Sequence, residues 1–374
     1  YADLTTLGVT LAAPADLTFI NSTRNGTLPA VATSSSQDAQ VFPLIGKVGM
    51  GGMDLSTNGD TLWIVNLYEK KLIRILLGNP HKASLTAADV TQYSIPDPGC
   101  ASGSWRPWAV RYDKGKIYVG GVCDAGTAGA RSNLRAYVYT FNPVSNTFNG
   151  TPVIQYPLDY TKGATHTGDA AIGKNWEPWR DTWADMFKGG VLSAGTRTAR
   201  PQPILSDIDF DESGNMVMTF TDRGGHQLGV GQQAIPNDGK AYNGYINGDM
   251  LIAKNNGNST FTLESNGAIT GKTGTGVGNG QGPGGGEFFA NDLYPVSGSV
   301  IHQETVIGAS LILPGKNEVM TISMDPLNVW TGGVNVANLT NGTNVRRYQI
   351  YATGPGANGS QGKANGLGLT APGC

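Results

Sequence analysis

Asp222 and His226 follow one apolar run at 216–221, and His302-Gln303-Glu304 stands just ahead of another at 306–313. If loops at the ends of those runs converge, Asp222, His226 and Glu304, joined by Asp207, form a mixed oxygen and nitrogen site for a divalent ion or an acid–base pair. The same residues serve equally well as hydrogen-bonding partners between neighbouring elements. Asp207, Asp209, Asp211, Ser213 and Asn215 also place oxygen atoms at alternate positions, which makes calcium the candidate ion. Against an EF-hand loop, its glycine is displaced and no acidic residue closes it. The segment therefore reads as a hairpin turn in which Asp211 and Asn215 bond backbone groups.

Trp105, Trp108, Trp176, Trp179 and Trp183, with Arg106 and Arg180 beside them, suit an aromatic face for stacking on sugar rings. They suit a packed corner supported by cation–π contacts equally well. The tryptophan spacing around 176–183 predicts a short helix after Pro178. Gly271-Lys272-Thr273-Gly274 and the glycines of 282–286 lack phosphate-loop spacing, and there is no GxSxG nucleophile elbow. No catalytic residue is assigned. Sequons at Asn21, Asn25, Asn149, Asn258, Asn338, Asn341 and Asn358 permit glycosylation in a secreted chain.

The chain has three cysteines. Cys100 and Cys123 flank a short strand pair, and a bridge between them would contribute roughly 3 kcal/mol; two reduced, buried thiols are the alternative. Cys374, at the last position, then has no partner within the sequence. No CxxC or CxxCH spacing points to a metal or haem.

The elements that must position these residues read as short strands. Gly51–Asp54, 61–66 and 70–75 are separated by polar turns at 57–60 and 67–69. The same order of strand, tight turn and strand returns at 109–121, at 204–221 and at 309–322. Imperfect repeats of this kind are expected of a β-propeller, in which each blade buries its faces against its neighbours. Residues 1–40 lack a sustained period and read as an extended N-terminal arm, followed by a propeller over 41–374. Unequal spacing of the repeats implies insertions at about 161–195 and, as a Gly-rich surface loop, at about 267–286. The expected fold is thus all-β, a propeller of about five to seven blades whose ring is incompletely closed unless the arm covers its edges.

Composition agrees with that class. Charged residues make up 14% of the chain and 54 of its 374 residues are glycine, a balance that favours turns over helices. A net charge of −2 with no basic run argues against nucleic acid as a partner. The longest apolar stretches, such as 72–77, are strand-sized, so no membrane span is expected. Tyr at position 1 reads as the start of a processed chain or a fragment.

Several strings carry a resemblance: Trp105-Arg106-Pro107-Trp108-Ala109, Val119-Gly120-Gly121-Val122-Cys123-Asp124, Gln202-Pro203-Ile204-Leu205-Ser206-Asp207, Asp222-Arg223-Gly224-Gly225-His226-Gln227, 281–288 and 362–368. In this order, the chain resembles the propeller-like N-terminal regions of large bacterial surface proteins with SdrD B-like repeats. The resemblance implies secretion and display at the cell surface, and it supplies no reaction. The expected role is structural or adhesive, with copies of the chain or other surface proteins as partners and assembly through the arm. A metal-dependent propeller hydrolase or lyase and a glycan-binding module are the alternatives.

Overall fold

The computed structural model describes residues 2–18, 41–164, 173–182, 185, 197–198, 200–226, 243–244, 248–290, 292–296, 299–327 and 331–352. Asn21, Asn25, Asn358, Trp183, Cys374, the 362–368 string, and much of the 1–40 and 161–195 segments lie outside these residues. Short apolar runs bounded by glycine turns build four antiparallel sheets with strands paired in chain order. The first contains Met50–Leu55, Thr61–Asn66, Lys71–Leu76 and Val90–Ser94. Trp105–Asp113, Lys116–Cys123 and Arg135–Asn142 form the second, with Thr147–Phe148 and Ile154–Pro157 both paired to its third strand. In the third are Pro203–Phe210, Met216–Asp222, Asp249–Asn255 and Phe261–Leu263. The fourth contains Val306–Ile312, Glu318–Met324, Thr331–Asn338 and Asn344–Ala352. The Lys114-Gly115 turn shows how the hairpins close: both residues have positive φ, 45° and 78°, as a two-residue turn matched to strand twist requires.

First strands of successive sheets pack against one another. Each has a ladder partner on one side only, so its outer N–H groups need other acceptors. Aspartates supply them. Asp54 Oδ2 accepts from Tyr112 N at 2.7 Å, Asp207 Oδ2 from Ser310 N at 2.9 Å and Asp209 Oδ2 from Ile312 N at 2.5 Å. Between the second and third sheets a side-chain ion pair makes the link, Arg111 Nη2 to Asp209 Oδ1 at 2.8 Å.

Apolar layers lie between consecutive sheets. Trp63, Val65, Leu72, Trp105, Val119 and Phe141 join the first and second, while Val122, Val138, Leu205, Ile208, Phe220 and Leu251 join the second and third. Val217, Ile252, Phe288, Val306 and Val319 join the third and fourth. Covering both faces of a sheet explains why Met216–Asp222 is buried at every position rather than alternately.

The leading residues do not stand free. Leu4 and Val9 are buried against Ile64, Ile73 and Ile75 of the first sheet. Gly49 N donates to Leu11 O at 2.7 Å and Asn66 Nδ2 to Thr10 O at 2.9 Å, so this part of the expected arm docks on its own molecule. Most of the segment in which a helix is expected after Pro178 lies outside the described residues. Residues 179–182 are irregular, with Trp179 N donating to Asp124 O at 2.9 Å and Trp176 and Trp179 buried, and Asp185 N donates to Thr182 O at 3.1 Å.

Candidate metal centre

Asp249, Glu287 and Glu304 meet between the third and fourth sheets, each buried, with ligand oxygens all within 4.8 Å of one another. Asp249 opens the third strand of the third sheet. Glycine is required just before it, since a Cβ at Gly248 would collide with the Val306 carbonyl. Gly248 N then donates to Glu304 O at 3.1 Å, which ties the two sheets together at the site. Glu304 precedes the first strand of the fourth sheet and has a φ of 56°, a left-handed conformation that a non-glycine residue keeps only when its surroundings enforce it. Asp292 helps to enforce it: its Oδ1 accepts from Glu304 N at 3.3 Å, and its carbonyl accepts from Thr305 N at 3.1 Å and Thr305 Oγ1 at 2.7 Å.

Glu287 is delivered by the Gly-rich insertion. Its backbone pairs with Gly276 in both directions, at 3.2 and 3.0 Å, and a Cβ at Gly274 would overlap Phe288. The loop read from composition as a surface excursion is therefore also a close brace for the 287–288 backbone.

A fourth buried carboxylate, Asp292, joins the trio, and the fully buried ammonium of Lys162 acts on Asp249, Asp292 and Glu304. Lys162 Nζ donates to Gly248 O at 3.3 Å and lies 5.1 Å from the centre of the Trp176 ring. Asp249 Oδ2 accepts from the Tyr160 hydroxyl. Among the described residues, both oxygens of Glu304 and Oε2 of Glu287 have no hydrogen-bond partner.

Burial and like charge push these acids up. Glu287 lies well above the usual range because of burial first and the Glu304 charge second; Glu304 does so because of burial and Asp292. Asp249 is raised by burial, against the Tyr160 hydrogen bond and Lys162, which favour its ionised form. Asp292 is raised to about 7 by burial, with Asp249 adding to it. Glu264, behind the cluster, is raised to about 8 by burial even though Ile252 N and Phe288 N donate to it. Unpartnered buried carboxylate oxygens are costly unless a proton or a cation satisfies them. An all-oxygen set suits a hard divalent cation, calcium above all, because calcium tolerates irregular shells of six to eight oxygens.

A cavity of about 290 Å³ adjoins this cluster, lined by Thr161, Gly163, Lys174, Asn279, Gln281 and Gln303 among others. Gly163 marks the junction. A Cβ on it would collide with Glu304 Oε1 and lie 3.0 Å from Gln281 Oε1.

Of the four residues expected to bind metal, Glu304 lies in the cluster and the others are engaged elsewhere. Asp207 spends its oxygens on Ile208 N and Ser310 N, at 2.8 and 2.9 Å. Asp222 Oδ1 accepts from Gln202 N and Gly224 N, at 3.0 and 2.9 Å. His226 sits beside Trp108, ring centres 5.4 Å apart. The alternating oxygens at 207–215 form the hairpin turn: Asp211 accepts from Asn215 N, Asn215 Nδ2 and Lys272 Nζ, so these oxygens are already engaged.

The expected stacking face is also corrected. Trp105, Trp176 and Trp179 are buried, and Trp108 is half-buried. Trp105 packs edge-on to Tyr137 and Tyr139, while Trp179 donates from Nε1 to Pro203 O at 2.9 Å. Cys100 and Cys123 form a disulfide, Cα atoms 5.4 Å apart. Asn149, Asn258 and Asn341 are exposed, and each Oδ1 accepts from the backbone N–H two residues on. Asn338 does the same from a half-buried position.

No protein-family model matches the chain. It is similar to four colossins of Dictyostelium discoideum, colossins C, B and A among them. Colossin-C is 28% identical over 340 residues, covering 87% of this chain and 30% of the relative. Colossin-B is 28% identical over 333 residues, with 84% and 8% covered, and colossin-A 27% identical over 344, with 88% and 3% covered. The chain thus spans less than a third of the length of each of these three. Among solved structures, Kuenenia stuttgartiensis hydrazine synthase aligns with a TM-score of 0.34 and 10% identity, over 81% of this chain and 49% of that one. The tricorn protease aligns at 0.28 and 12%, over 81% and 22%. TM-scores this low say nothing about function.

Proposed function

We propose that the chain is a cation-stabilised β-propeller module of a longer extracellular surface protein, with a structural or adhesive role. The observation that carries the cation is the buried trio Asp249, Glu287 and Glu304, three of whose oxygens have no hydrogen-bond partner among the described residues. A divalent ion there would satisfy them and join the third sheet, the Gly-rich loop and the fourth sheet at one point. Extracellular modules use calcium in this way, at affinities matched to the calcium around them.

Four antiparallel sheets of four or five strands, with first strands touching in chain order, support the propeller reading. The disulfide supports an oxidising compartment, and no helix among the described residues is long and apolar enough to cross a membrane. Relatives far longer than this chain support its being one module of several, in keeping with the resemblance to large surface proteins. Native mass spectrometry after chelation and readdition of calcium tests the reading. One ion per chain is expected, lost in Glu304→Gln; no retained ion at millimolar calcium overturns it.

A second reading, a metal-dependent hydrolase or lyase, is favoured by the cavity beside Glu304 and by Asp292 and Glu264, raised to about 7 and about 8 by burial. Acids in that range suit proton transfer near neutral pH. Release of reducing ends from polysaccharides, lost in Asp292→Asn, would support this reading over a purely structural role.

A further inference from the structure

Resting on the cation reading of Asp249, Glu287 and Glu304, we propose that the cavity beside Glu304 is a subsite for a carboxylated sugar. In this subsite, the cation takes the sugar carboxylate and the amides of the cavity wall take its hydroxyls.

Three observations converge on that class of ligand. The trio leaves room in the shell. With one oxygen from each, three carboxylates supply three of the six to eight oxygens around a calcium-sized cation, which leaves positions for water or a ligand. The cavity lies where that ligand would sit, because at Gly163 the wall has no side chain and Glu304 Oε1 lies directly behind it. Any larger residue at 163 would collide with the Glu304 carboxylate.

The lining selects the ligand. Asn279, Gln281 and Gln303 offer both donors and acceptors, and Thr161 adds a hydroxyl, a set that matches sugar hydroxyls in any orientation. Lys174 is the charged side chain of the lining, and with the cation it favours an anion over a neutral sugar. Among the described residues no aromatic ring lines the cavity, and Trp105, Trp176 and Trp179 are in the core, so recognition by these residues is polar. At about 290 Å³ the volume stands at the lower end of the ~300–1,000 Å³ of small-molecule sites, which fits a single pyranose ring better than an extended chain.

The test is a ligand-observed NMR titration of the full chain with D-galacturonate and with D-galactose, each in calcium and in chelator, alongside calorimetry of calcium alone. The expected result is calcium binding, and galacturonate binding that requires calcium and exceeds galactose binding. Gln281→Ala is expected to weaken galacturonate about five- to tenfold, the loss of one or two hydrogen bonds, while calcium affinity stays unchanged. Calcium binding with no preference for galacturonate overturns the sugar subsite and leaves the cation reading standing. Galacturonate binding that persists in chelator overturns the cation's part in recognition. Failure to bind calcium removes the cation reading and this proposal with it.

Discussion

Replacing Glu304 by Gln should raise stability in chelator at neutral pH and remove most of the stabilisation that calcium gives. Without a cation, the raised Glu304 carboxyl holds a proton in the folded state that the unfolded chain releases above the ordinary glutamate range. Bound protons in the folded state mean that stability falls as pH rises, by about 1.4 kcal/mol per pH unit for one such group. The contribution is complete below the unfolded pKa and is lost as pH climbs toward the folded one. Gln mimics the protonated form and does not titrate. In chelator the variant should therefore match the wild type at pH 4 and exceed it at pH 7.5. With calcium at about a hundred times its dissociation constant, the wild type gains about 2.7 kcal/mol. For 374 residues an unfolding entropy of about 2.1 cal/mol/K per residue converts that gain to a rise in Tm of about 3–4 °C. The variant should lose most of that rise. Differential scanning calorimetry at both pH values, with calcium and with chelator, reads all four quantities. A Glu304→Gln protein that keeps the full calcium shift, or that is less stable than wild type in chelator at pH 7.5, refutes the reasoning.

Arg223 should be the most sensitive single position outside the acid cluster. Its fully buried guanidinium donates to the carbonyls of Phe42, Ile45 and Arg180 and to Gln202 Oε1, between the rings of Phe42 and Trp179. Arg223→Lys keeps the charge but loses the fork, and should cost about 3 kcal/mol or more in urea unfolding. A change under about 1 kcal/mol would contradict that role. Serine at both Cys100 and Cys123 should cost about 3 kcal/mol, and a reductant should bring the wild type down to the variant. Trp105→Ala should cost about 3–5 kcal/mol because the ring is buried among Tyr137 and Tyr139; a neutral effect would return it to the list of surface ligand-binding rings.

The strands were legible because each is a short apolar run closed by a turn whose glycine has a conformational reason, as at Lys114-Gly115. The order of the repeats likewise anticipated four sheets paired in chain order. Less legible was the acid cluster. Glu304 stood out by its place before an apolar run, but Asp249 and Glu287 looked like isolated acids in separate segments, and only the approach of Gly248 to Val306 brings them to Glu304. A signal was present at Glu287, an acid set between a glycine run and Phe288-Phe289, where burial is expected and a charge is out of place. Asp207 and Asp222 misled for a related reason. Acids at strand ends also serve backbone N–H groups left over by the sheet, and periodicity does not distinguish that use from metal binding. The tryptophans misled because Trp beside Arg and Pro has one composition for two settings, and here Trp179 lies against the Arg106 and Arg223 guanidinium groups in the core.

Diffraction from crystals of the protein grown in manganese, a hard divalent ion with strong anomalous scattering, tests the cation centre most directly. The account predicts one anomalous peak among the carboxylate oxygens of Asp249, Glu287 and Glu304. A map with no peak there, or with Lys162 bound directly to Glu304 in its place, would contradict it.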